Sequence, residues 1–267
     1  MKLDSNKYYR MPFIWGPMFD RNNIPLIPYP KTEFLILQYK SDPEVISSLL
    51  PECYQPAKEP LVTVIFGYFS GLYILAGGEY RIATVQVSAK FKGQIDSVEG
   101  DYVLVMFEND TLPIIGGRED LGVPKIYADI SPVKIMTEGH SRCEASLWGH
   151  LLFGIDLDPL KEQNKLVIQV ASKSINKNPT LCYKYIPSLD GPPDADYPTM
   201  TKNDVKIDKL WLGNSGKIFY GSPGFEDVSF TKNIVDTLKT LKLNEVVQAA
   251  HIYGSTILRY DLSRRLK

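Results

Sequence analysis

Gly116-Gly117-Arg118-Glu119-Asp120-Leu121-Gly122-Val123-Pro124-Lys125-Ile126-Tyr127 sets one lysine inside an apolar run directly after a charged turn. Read as a strand, Val123, Lys125 and Tyr127 share one face, because successive side chains alternate. A lysine on an inward face loses the solvation of its ammonium form, which lowers its pKa. A neutral lysine is a nucleophile that forms a Schiff base with a carbonyl substrate. The alternative is a snorkelling lysine at a strand end, its stem on apolar surface and its head in water. A free lysine titrates near ~10.4, so about one in 2,500 is neutral at pH 7. Bringing the pKa to about 7 costs the charged form roughly 4.6 kcal/mol. Burial alone is worth up to ~3–5 pKa units.

Outward from this stretch the pattern is mostly β. Strands are predicted at Phe34–Tyr39, at Ile82–Phe91 with Val85, Val87, Ala89 and Phe91 alternating, at Asp101–Phe107 and at Ile130–Met136. Cys143–Phe153, Lys165–Ser172 and Val246–Tyr260 continue the pattern, and Val205–Leu212 with Lys217–Tyr220 reads as a hairpin around Gly213-Asn214-Ser215-Gly216. Leu61–Gly78 carries no charge over 18 residues. Its β-formers and glycines indicate two buried strands joined near Ser70-Gly71 rather than a membrane span. Asp42-Pro43-Glu44 starts a short helix that ends at Pro51, with Asp42 as N-cap and Pro43 at the first helical position. A second helix is expected at Ile234–Leu241, a loop or lid at Tyr185–Met200, and an irregular arm over residues 1–30. No repeat or linker divides the chain, so residues 1–267 are read as a single domain. Many short strands with few helices indicate an α+β, mainly β architecture, a closed or nearly closed antiparallel β structure with peripheral helices.

Composition excludes several function classes. A formal net charge of −1 gives no reason to expect nucleic acid or an anionic membrane as partner. Cys53, Cys143 and Cys182 are odd in number and widely spaced, which argues against a disulfide framework and fits a reducing cytoplasm. Met1–Phe19 lacks the continuous apolar region of a signal peptide. His140, His150 and His251 share no metal-ligand spacing with one another or with the cysteines. No Gly-x-Ser-x-Gly elbow is present, and Gly213-Asn214-Ser215-Gly216-Lys217 fails the phosphate-loop spacing.

Gly117-Arg118-Glu119, four residues, then Pro124-Lys125 resembles the signature of the acetoacetate decarboxylase family, in which Gly-Arg-Glu and a short spacer precede Tyr/Phe-Pro-Lys-Lys. The likeness extends through Gly100-Asp101-Tyr102, Leu49-Leu50-Pro51-Glu52, Leu61-Val62 and His251-Ile252, roughly residues 25 to 265. The resemblance implies an antiparallel closed β-barrel or cone with the lysine facing its interior, no cofactor, and a homo-oligomer. It gives Lys125 the place of the Schiff-base lysine. Acetoacetate decarboxylase is itself a standard example of a lysine activated by burial or a neighbouring cation. Three positions depart: the second lysine is Ile126, an early arginine is Thr32, and one of two active-site glutamates is Ile65, the other aligning with Glu79. Loss of the second lysine leaves burial, or a cation from elsewhere, to activate Lys125.

Lys125 and Glu79 are thus the expected catalytic residues, with Arg118, Glu119, Tyr253 and Met106 as substrate contacts. Glu79 follows the Gly77-Gly78 turn and reads equally as an exposed turn carboxylate. Arg118 and Glu119 either position a substrate carboxylate or brace the turn before the lysine. Tyr253, beside His251, transfers a proton near the imine or packs in the core with its hydroxyl satisfied. The leading expectation is a lyase that decarboxylates a small β-keto acid through a Lys125 imine and enamine. An aldolase or dehydratase acting on an α-keto acid such as pyruvate uses the same lysine. A non-catalytic barrel that binds a small ligand is the reading from a different class.

Overall fold

A computed structural model describes residues 2–267. The principal strands are β1 Ile27–Lys40, β2 Leu61–Leu72, β3 Gly78–Lys92, β4 Ser97–Glu108, β5 Lys125–Tyr127, β6 Ser141–Leu147, β7 His150–Leu157, β8 Thr180–Ile186, β9 Ala195–Thr201, β10 Asn203–Gly213, β11 Gly216–Tyr220 and β12 Glu245–Leu258. Helices α1 Pro43–Leu49, α2 Thr111–Gly116, α3 Lys165–Ile175 and α4 Thr231–Leu238 lie between them. The larger sheet runs β10-β12-β1-β2-β3-β4-β8-β9, with β5 added alongside β4. Its pairings are antiparallel except for β4 with β5 and β4 with β8. β6, β7 and β11 form a smaller sheet.

Alternation along the central strands divides the larger sheet into two faces. Leu35, Leu37, Val64, Val85 and Phe107 point to one side and pack with Phe153, Ile155 and Leu157 of the smaller sheet and with Val235 and Leu238 of α4. The intervening residues Phe34, Ile36, Ile65, Ile82, Thr84 and Met106 point to the other side and line a cavity. Strands β1–β5, β8–β10 and β12 contribute to that lining, so the larger sheet curls around it. The fold is mainly β, as expected, but its strand path is open. It ends at the two-residue strands Lys161–Glu162 and Arg264–Arg265, and no pairing among the described residues joins them into a closed barrel or cone.

Several local expectations are corrected. β2 runs unbroken through Ser70, with a bulge at Gly71, and the chain turns only after Tyr73–Leu75 at Ala76-Gly77. The stretch Cys143–Phe153 is split by Trp148-Gly149, both with positive φ, the two-residue turn that matches strand twist. β10 and β11 are not a hairpin: β10 pairs with β12 and β11 with β7, in different sheets. Tyr185–Met200 is mostly the β8–β9 hairpin, with irregular chain only over 187–194. The arm carries the short pair Lys7–Tyr8 with Phe19–Asp20, and β1 already begins at Ile27. Asp42 caps α1 as expected, accepting from the Glu44 amide at 2.8 Å.

The predicted strand at Lys165–Ser172 is helix α3. Asn164 accepts from the amides of Leu166 (3.0 Å) and Val167 (3.1 Å), satisfying two donors that a helix start leaves open. Val167, Ile168 and Ala171, spaced i, i+1, i+4, then meet Ile207, Leu210, Ala250 and Ile252. Asn164→Ala is expected to lower unfolding free energy by about 1 kcal/mol. A urea midpoint unchanged from wild type contradicts that role for the cap.

Candidate active site

The segment before Lys125 is a helical corner. Asp110 caps α2 by accepting from the Leu112 amide at 2.8 Å, and α2 runs directly into a π-helical turn, Gly117–Leu121. Such turns are rare and recur at functional sites. Gly122 ends it at φ +75°, where a Cβ would stand 2.4 Å from Lys184 Cβ. The chain then enters β5 with Lys125 beside Met106 of β4. Arg118 Nη1 donates to the Lys125 carbonyl at 3.0 Å, and the Val123 amide donates to the Gly117 carbonyl at 3.0 Å. Of the two readings of Arg118, the geometry matches bracing of the turn.

Lys125 stands where two cavities meet. The inner cavity, about 240 Å³, is the one between the curled strands. The outer one, about 360 Å³, lies against Arg10, Trp15 and Met18 of the N-terminal arm and Pro113 and Gly116 of α2. Lys125, Tyr29, Leu121 and Leu258 line both. The lysine side chain is 12% exposed. Its Nζ donates to the Pro113 carbonyl at 3.1 Å and stands 2.7 Å from Glu108 Oε1.

Glu108 is the acidic group that reading the sequence missed. Its side chain is 1% exposed, Oε2 has no hydrogen-bond partner among the described residues, and burial pushes its carboxyl up despite the opposing pull of Lys125. Glu108 follows Met106 by two residues on β4 and therefore faces the same cavity. The strand predicted to end at Phe107 ends one residue later, and that residue carries the charge. An amine and a buried carboxylate at this distance can exchange a proton, the requirement for acid–base work at a nucleophile.

Met106 lines the inner cavity beside Lys125, but besides Arg118, which braces the turn, three other expected residues point elsewhere. On β3, Tyr80, Ile82, Thr84 and Gln86 face the cavity, so Glu79 and Arg81 face away. Glu79 is 51% exposed, hydrogen-bonded to the Tyr68 hydroxyl and 3.6 Å from Arg81 Nη2, a turn carboxylate outside both cavities. Tyr253 shares its face with His251 rather than Ile252. Its hydroxyl donates to Glu33 Oε1 at 2.7 Å, and His251 Nε2 lies 2.8 Å from the same oxygen. That cluster sits on the side of β1 opposite Phe34. Glu119 contributes its carbonyl, which accepts from Lys184, and its side chain lines neither cavity. At the departed positions, Ile65 lines the inner cavity, Ile126 faces away from it among Leu49, Val105 and Leu238, and Thr32 is buried.

Two glycines shape the floor under these side chains. A Cβ on Gly116 would lie 2.8 Å from Arg10 Cζ, and one on Gly117 would lie 2.4 Å from Lys125 Cδ and Cε and 2.7 Å from Nζ. Arg10 is held over Gly116 by Asp120, which accepts from its Nε at 3.0 Å and also from the Tyr260 hydroxyl. Gly117 has ordinary helical φ, where alanine stabilises by roughly 0.5–1 kcal/mol, whereas overpacking costs about 1–3 kcal/mol. Gly117→Ala is therefore expected to destabilise the wild type and to become neutral or stabilising in a Lys125→Ala background. Equal destabilisation in both backgrounds, measured by urea denaturation, contradicts the contact.

Known proteins bear on the same geometry. The family model described as Acetoacetate decarboxylase (ADC) matches residues 10–264. The acetoacetate decarboxylase of Burkholderia vietnamiensis is 27% identical over 265 residues, covering 95% of this chain and 92% of its own. Among solved structures, acetoacetate decarboxylase from Legionella pneumophila superposes with a TM-score of 0.73 at 21% identity, covering 91% of this chain and 88% of its own. The enduracididine biosynthesis enzyme MppR complexed with pyruvate superposes at 0.69 with 16% identity, covering 96% and 95%. With a match over nearly its whole length and the fold those structures share, this chain belongs to the acetoacetate decarboxylase family.

Proposed function

We propose that the protein is a Schiff-base-forming lyase in which Lys125 condenses with the ketone of a small oxo acid. The observation that carries this reading is the placement of Nζ, nearly buried where two cavities meet and 2.7 Å from a buried carboxylate. A proton passes from the ammonium group to Glu108, and the freed amine attacks the carbonyl carbon. Glu108 returns the proton to the carbinolamine hydroxyl, which leaves as water as the C=N bond forms. In a β-keto acid the bond to the carboxylate then breaks, and its electron pair moves into the iminium to give CO2 and an enamine. Protonation at carbon and addition of water release the ketone and restore the lysine. The relatives named acetoacetate decarboxylase support this course.

A second course shares every step up to the iminium. Glu108 Oε2, buried without a partner, is a base of the kind that removes the α-proton of a pyruvate-derived iminium. That observation favours aldol or dehydratase chemistry, in keeping with the pyruvate held by MppR.

Borohydride reduction with acetoacetate and with pyruvate, followed by peptide mapping, tests the shared chemistry. A reduced adduct on Lys125, absent in Lys125→Arg, is expected, and CO2 release from acetoacetate selects the decarboxylase course. Failure of both ketones to add mass contradicts the reading. Glu108→Gln is expected to slow adduct formation by about 10²–10⁴-fold, the usual worth of a positioned acid–base group. An unchanged rate removes Glu108 from the reaction.

A further inference from the structure

The two cavities that share Lys125 differ in charge. The inner one is lined by two carboxyl groups, Glu108 and Asp101, and by no cation other than Lys125. The outer one is lined by Arg10 and Lys125 and, among the described residues, by no carboxylate. Arg10 is bound to Asp120 and Tyr260 through Nε and Nη2, and its Nη1 takes part in none of those bonds. A substrate carboxylate placed in the inner cavity meets two buried carboxyl groups, and one placed in the outer cavity meets a guanidinium.

The inner cavity is also larger and more apolar than a methyl group requires. Phe34, Ile36, Ile65, Phe69, Ile82 and Met106 line it. Thr84, Gln86 and several hydroxyls are spread along its wall, and its charged groups lie in two separate places. Glu108 and Lys125 hold one, and Asp101 with Asn178 and Asn203 holds the other. Asp101 and Glu108 are on one strand, seven positions apart, which at ~3.3 Å per residue is roughly 20 Å.

We infer that the substrate straddles Lys125, with its carboxylate in the outer cavity against Arg10 and an apolar arm in the inner cavity. An apolar cavity of about 150 Å³ holds a benzene, so 240 Å³ accommodates an arm of roughly six to ten heavy atoms. The substrate class is therefore an oxo acid with a medium-length aliphatic or aryl-alkyl arm, larger than pyruvate or acetoacetate. The polar far end limits the arm's length, because a longer chain brings apolar carbon against Asp101 and the two asparagines. This inference rests on the Schiff-base reading of Lys125 and adds which carbonyl compounds reach it.

The test is borohydride trapping of the full chain with straight-chain 2-oxo acids from pyruvate up to about sixteen carbons, whose arms run past the ~10 heavy atoms the cavity accommodates, scored as the half-saturating concentration for the Lys125 adduct. That concentration is expected to fall about fourfold per added methylene, the worth of burying one CH2, and to rise again for the longest acids. Ile65→Trp, which fills the inner cavity, is expected to flatten the trend. Arg10→Gln is expected to raise the value for 2-oxooctanoate about tenfold more than for neutral 2-octanone. A flat or worsening series while pyruvate still traps on Lys125 overturns the arm site and leaves the Schiff base standing. Equal effects of Arg10→Gln on acid and ketone overturn the carboxylate placement. If no carbonyl compound traps, the Schiff-base reading fails and this inference falls with it.

Discussion

A β-strand sends successive side chains to opposite faces, and the site depends on that constraint. One face of the larger sheet is committed to packing against the smaller sheet, where Leu35, Leu37, Val64 and Phe107 are fully buried. Burying each such side chain is worth roughly 1.5–3 kcal/mol, so the register of the central strands is strongly set. The other face is therefore fixed without being filled. It presents Ile36, Ile65, Thr84 and Met106 in one row across four strands, and Lys125 completes the row on β5. A slip of one residue in β4 would send Met106 and Glu108 into the core and Phe107 into the cavity.

The lysine needs more than a strand position. Its side chain runs over Gly117, where any Cβ would collide with it, and its carbonyl is pinned by Arg118. The Gly116-Gly117-Arg118 sequence is in this sense a seat for two cations, with Arg10 over the first glycine and Lys125 over the second. Where the family resemblance implies a second lysine beside the nucleophile, this chain has Ile126, on the opposite face among apolar neighbours. The charged group nearest Nζ is instead a carboxylate. In the proposed reaction Glu108 is the group that handles proton traffic at the nitrogen, and Arg10 from the arm lines the outer cavity.

Much of this was legible in the chain. The spacing from Gly117 to Lys125 singles out the lysine that the structure places where the two cavities meet, and alternation in Ile82–Phe91 and Asp101–Phe107 marks the strands that flank it. Misplaced residues went wrong by parity or by partner. Glu79 and Tyr253 are one position away from cavity-facing or inward-facing neighbours, and nothing local to them says which face the core occupies. Glu108 was hidden by a strand boundary drawn one residue short, although its i, i+2 relation to Met106 was available. Arg10 lies in an aperiodic arm that only tertiary packing brings over Gly116. The α3 segment reads as a strand in sequence because Val167, Ile168 and Ala171 are compatible with a short apolar run of either type, and the Asn164 cap decides between them. The β10–β11 turn has hairpin composition, yet its strands separate into different sheets, a choice made by long-range pairing.

The most direct measurement of the central claim is a crystal structure of the protein reduced with borohydride in the presence of 2-oxooctanoate. The account predicts density continuous from Lys125 Nζ to the former carbonyl carbon, with the arm entering the inner cavity and the carboxylate turned toward Arg10. A free Lys125 amine still paired with Glu108, with the ligand lodged elsewhere, would contradict it.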